Sequence, residues 1–89
     1  MNIQHYTYED FLIYSLSYFG LSTVVEKKAR EANVSDQEQV QKMVHIMDNC
    51  SRMDLSDRAR FFRVLYKKFY VRNRVNKDKL LTDMLSYCL

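Results

Sequence analysis

Apolar residues recur along this chain at helical spacing rather than in strict alternation, and they divide it into five segments. Thr7 and Asp10 form a capping box, so the spacing predicts a first helix from about Tyr8 to Phe19, stopped at Gly20. Its apolar positions (Phe11, Leu12, Ile13, Tyr14, Leu16, Tyr18, Phe19) cover most of the circumference, the pattern of a central, largely buried helix. Thr23 and Glu26 read as the cap of a short second helix, VVEKKAREAN, ending near Asn33. Its thin stripe of Val25, Ala29 and Ala32 suits a surface position. Ser35 and Glu38 open a third helix over about 36–52, where Val40, Met43, Val44, Met47 and Cys50 make one stripe. A fourth begins at Asp54 or Ser56 and runs to about Arg74. Asn76 restarts a terminal helix, KDKLLTDMLSYC, with Leu80, Leu81, Met84, Leu85 and Cys88 on one side. Each stripe can be hidden only against the others. The expectation is therefore all-α: a compact single-domain bundle of about five short helices spanning residues 1–89.

Composition sharpens this in a few places. Pro is absent and Gly occurs once, which disfavours a turn-rich β fold. Hydrophobic residues make up 47% of the 89, enough for a core that needs no metal or disulfide. The amino end lacks a secretory pattern, and the longest apolar stretch, FLIYSLSYFGL, is shorter than the roughly 20 residues a membrane crossing requires. Cys50 and Cys88 fall in no CxxC pattern and read as reduced, small apolar residues. The expectation is a cytoplasmic protein with no membrane contact.

Charge is distributed unevenly. Residues 1–55 carry five Lys/Arg against eight Asp/Glu, a net −3, whereas residues 56–89 carry nine against three, a net +6. Most of the excess falls in DRARFFRVLYKKFYVRNR, residues 57–74, where no acid interrupts the run from Arg58 to Arg74. Advancing about 100° per residue gathers Arg58, Phe61, Phe62, Leu65, Tyr66 and Phe69 on one side. Arg60, Arg63, Lys67 and Arg74 then fall opposite, within about 60°, with Tyr70 at the margin. Lys68 and Arg72 sit near the core edge, where long side chains snorkel outward. A solvated helix face normally mixes both signs; excluding acids forfeits intrahelical ion pairs. Arg60, Arg63, Lys67, Tyr70, Arg74, Lys68 and Arg72 are the candidate contact residues, to phosphates on a nucleic acid or to an acidic protein surface.

Other chemistry is poorly provided for. VVEKKAREANVSDQEQVQKM has the outline of a helix-turn-helix, but its second helix opens with Asp36 and Glu38, which repel phosphate. His5 and His45 belong to no metal-ligand pattern, and Glu9 and Asp10 are adjacent and so diverge on a helix. There is no nucleophile signature, and a single glycine builds no phosphate-cradling loop. Neither an enzyme, a metal site nor a cofactor is expected. In size and style the chain resembles small regulators and inhibitors from phages and mobile elements, including anti-CRISPR proteins, a resemblance that implies stoichiometric binding.

Two functional expectations follow. The first is a non-catalytic regulator or inhibitor whose basic helix, about 57–75, binds nucleic acid or a nucleoprotein complex. The second is a protein-interaction or assembly subunit, possibly a homodimer sealed by the Tyr-rich first helix through Ile13, Tyr14 and Tyr18.

Overall fold

Thr7 starts the first helix as its sequence predicts. In the computed structural model, which describes residues 5–32, 36–71 and 77–88, α1 spans Tyr8–Tyr18. The Asp10 amide donates to Thr7 Oγ1 at 3.1 Å and the Thr7 amide donates to Asp10 Oδ2 at 3.0 Å, completing the box. At the other end Gly20 takes φ +82°, the left-handed region where a side chain is strained. The Gly20 amide then donates to Ser17 O and the Leu21 amide to Leu16 O, at 3.2 and 2.7 Å, a Schellman closure.

That closure feeds straight into α2, Ser22–Glu31, which therefore begins before the expected cap. Leu21 occupies the cap position without a side-chain hydrogen bond, and Thr23 lies inside the first turn. Only Val25 of α2 is fully buried, in keeping with a surface helix. Helix α3 spans Gln37–Arg52; the expected caps at Asn33 and Ser35 lie outside the described residues. Its inner face is Met43, Ile46 and Cys50, with Met47 half-buried and Val44 exposed. The face is thus rotated from the predicted stripe. Docking against both α1 and α2 centres it on Met43 and Cys50, which draws Ile46 inward and leaves Val44 at the edge.

Helix α4, Leu55–Tyr66, is capped by Asp54, whose Oδ1 accepts from the Asp57 amide at 2.8 Å. It runs on into a π-helical turn, Lys67–Val71. Helix α5 spans Lys77–Cys88. Among the described residues there are five α-helices and no strand: an all-α bundle. Its radius of gyration of 12.7 Å is close to the ~12 Å of a single domain this long.

Helix α1 is the axis, touching α2, α3, α4 and α5. Phe11, Ile13, Tyr14 and Leu16 are wholly inaccessible. Opposite them, α4 and the π turn supply rings: Phe61 meets Tyr14 edge-on at 5.0 Å, Phe62 stacks on Tyr18 at 4.8 Å, and Phe69 stacks on Phe11 at 5.5 Å. Full burial of a ring such as Phe11 contributes about 1.5–3 kcal/mol, the partly buried rings less, with about 0.5–1.5 kcal/mol more from ring geometry. Helix α5 covers less. It lies mainly along α1, so Leu80 and Met84 are buried while Leu81 and Leu85 stay 57% and 67% exposed, contrary to the predicted five-residue stripe. No helix among the described residues is long and apolar enough to cross a membrane.

Candidate polyanion-binding face

The outward side of α4 follows from how its inward side is held. Phe61, Phe62 and Leu65 fix the helix against α1, and Arg58 locks its first turn to the end of α3. The Arg58 side chain donates from Nε to Met53 O and from its terminal nitrogen to Ser51 O, both at 2.8 Å. Arg58 therefore satisfies carbonyls that the end of α3 would otherwise leave unpaired. The Tyr14 hydroxyl donates to Arg58 O at 2.9 Å, tying the same turn to α1. With both ends of the register set, Arg60, Arg63 and Lys67 all come out exposed.

These three cations stand at i, i+3 and i+7, and no acid among the described residues forms an ion pair with any of them. Two acids of the first half are engaged elsewhere. Asp10, buried at the start of α1, pairs with Lys42 of α3 at 2.9 Å, and Asp54 caps α4.

The remaining candidates fare differently. Lys68 is half-buried; its ammonium donates to Tyr6 O at 2.9 Å and lies 4.9 Å from the Phe69 ring, a structural placement. Tyr70 is wholly buried, not marginal, and offers no stacking surface. Regular α geometry would carry it toward the helix edge. The wide π turn instead returns it beneath Tyr66, ring to ring at 5.1 Å, and against Tyr8. Arg72 and Arg74 lie outside the described residues. The proposed self-association face is corrected too. Ile13 and Tyr14 are sealed inside because α1 is surrounded by four helices, and only Tyr18 remains partly accessible.

One polar cluster had no sequence signal. The Tyr8 hydroxyl donates to Asp83 Oδ2, the Lys79 ammonium contacts the same oxygen at 2.6 Å, and the Tyr70 hydroxyl lies within hydrogen-bond distance of Tyr8 Oη. Tyr8's single proton is committed to Asp83, so Tyr70 is the donor between the two phenols. These donors, Lys79 foremost, hold the Asp83 carboxyl below the usual carboxylate range. Burial, reinforced by Asp83, lifts the Tyr8 phenol above its ordinary value, and burial raises Tyr70 as well. The residues lie 62 and 75 positions apart in sequence, which no local pattern reveals.

Elsewhere the chemistry is subdued. Burial pushes the Cys50 thiol up, so it stays protonated, and it is free. The side chain of Cys88 is outside the described set. His5 and His45 are exposed, and no cluster of three His, Cys, Asp or Glu among the described residues is arranged to hold a metal ion. In the helix-turn-helix-like segment, Asp36 and Glu38 are exposed at the start of α3, and Gln39 donates to Glu9 at 3.3 Å. A shallow groove beside the cationic row is lined by Met53, Asp57, Arg60, Phe61 and Val64. A second groove, between α1, α4 and α5, is apolar. No family model matches this chain, and no curated protein or solved structure matches it either.

Proposed function

We propose that this chain is a non-catalytic binding protein that engages a polyanion, either nucleic acid or a nucleoprotein complex, through the outward face of α4 and acts as a stoichiometric regulator or inhibitor. One observation carries the reading: Arg60, Arg63 and Lys67 form an exposed row on a firmly anchored helix, with no acid of the described residues paired to them. Seven helical residues span about 10 Å, a length over which duplex DNA presents about six phosphate charges. A fixed row of cations on that scale neutralises phosphates without reading bases, so modest sequence preference is expected.

Fluorescence anisotropy with duplex and single-stranded oligonucleotides at several salt concentrations tests this. Three phosphate contacts imply a log–log slope of about −2.7 on duplex DNA. Reversing all three (Arg60→Glu, Arg63→Glu, Lys67→Glu) should remove binding and leave the helical circular dichroism spectrum and Tm nearly unchanged, because none of the three supports the core. Equal affinity before and after reversal would refute the assignment.

A second reading has its own support. Leu55 and Val64 are 77% and 46% exposed on the same helix, and the groove at Arg60 has apolar walls. Phosphates gain little from apolar surface, whereas an acidic protein gains from both parts of this face. A partner captured from lysate that is retained after nuclease treatment favours protein docking; one that is lost favours nucleic acid.

A further inference from the structure

The apolar groove between the end of α1, the middle of α4 and the start of α5 holds about 390 Å³ and is walled by Tyr18, Phe19, Phe62, Tyr66, Leu80 and Leu81. Its rim is unusually bare: Phe19 is 54% exposed, Leu81 57%, and Leu85, one turn further along α5, 67%. The aromatic faces are largely committed to one another. Tyr18 stacks on Phe62 with planes 10° apart, Phe19 meets Phe62 edge-on, and Tyr66 stacks on Tyr70. A nucleobase needs a free ring face. Leucine side chains left in water need an apolar hole instead. The occupant is therefore a protein surface carrying protruding aliphatic groups.

We infer that the occupant is a second copy of this chain, in a two-fold dimer that lays α5 of each copy in the other's groove with Leu85 entering it. Two features of this face select a second copy over another protein. A protruding leucine and the hole to receive it lie side by side on one face, the self-complementarity that an isologous contact requires. Charge complements in the same way. Asp78 is exposed one turn before Leu81 on α5, Arg63 is exposed one residue past Phe62 on α4, and neither is ion-paired among the described residues. Insertion of α5 carries Asp78 alongside the α4 of the other copy, and the two-fold axis repeats that pairing. Tyr18 thus keeps a place at the interface, while Ile13 and Tyr14 lie behind it in the core. The dimer rests on the apolar groove and shares Arg63 alone with the cationic row, so the Leu85→Glu comparison tests it without touching that row.

Multi-angle light scattering from low micromolar to near-millimolar concentration tests this, on wild type, Leu85→Glu and the control Leu55→Glu. Wild type and the control should approach twice the 10.8 kDa chain mass as concentration rises. Leu85→Glu should remain at a single chain mass with an unchanged circular dichroism spectrum. Were Leu85→Glu to lose helicity, the exposed Asp78→Lys carries the test: dissociation in that variant, reversed by adding Arg63→Glu, supports the dimer. A wild type that stays monomeric throughout, leaving the groove to some other protein, overturns it. So does a folded Leu85→Glu protein that dimerises like wild type.

Discussion

Asp83 takes hydrogen bonds from Tyr8 of α1, far away in sequence, and from Lys79 of its own helix. Both donors favour the ionised form, so the folded-state pKa lies below that of the unfolded chain, near 4. For a depressed carboxylate the associated stability is present above the unfolded value and disappears as pH falls through the folded one. Thermal melts taken from neutral pH into the acid range should therefore show Tm declining from about pH 4 downward. Asp83→Asn should lower Tm at neutral pH and flatten that acid decline. An acid limb unchanged in the variant would show that the cluster contributes nothing to folding. Nothing in the local sequence announces this arrangement. Tyr8 carries no signal beyond marking the start of the first helix, and constant α geometry puts Tyr70 at a helix margin, whereas the turn that holds it is π-helical.

At the scale of helices, the signals that could be read were those whose physics is complete within a few residues. Thr7 and Asp10 satisfy each other across three positions, and Gly20 stops α1 by a conformation open to it alone. Gly20→Ala tests the second point cleanly. A methyl group there meets nothing within 4 Å, so the cost is backbone strain alone, about 1 kcal/mol. For a domain of this length that corresponds to a Tm drop of about 4–8 °C by differential scanning calorimetry. An unchanged Tm would mean that the closure at Gly20 does not limit stability. Where a helix's environment depends on its neighbours, the sequence said less. Leu81 and Leu85 fit a buried stripe by spacing, yet α5 has too few neighbours to cover them. Val44 and Ile46 exchanged places because α3 is shared between two helices rather than facing one. The same limit applies to α1: its greasy circumference suits a central position but leaves a dimer seal as an alternative, and the packing of four helices around it buries Ile13 and Tyr14.

Across the whole molecule, the acids held in ion pairs or caps are held away from the cationic row. Asp10 closes on Lys42, Asp54 caps α4, and Asp83 binds Lys79, so none of these acids reaches the outward row of Arg60, Arg63 and Lys67. That row was legible because its cause is local: aromatic residues at helical spacing force one side inward, and whatever lies opposite must face solvent. Lys68 and Tyr70 were not, because a backbone carbonyl of Tyr6 and the π turn claim them from outside the helix. The row is the surface on which the proposed binding rests, and two-dimensional amide NMR during titration with a short duplex at low salt examines it most directly. Perturbations centred on Arg60, Arg63, Val64 and Lys67, fading as salt is added, are the expected result. Perturbations centred on α2 and α3 with α4 silent, or none anywhere at low salt, would contradict it.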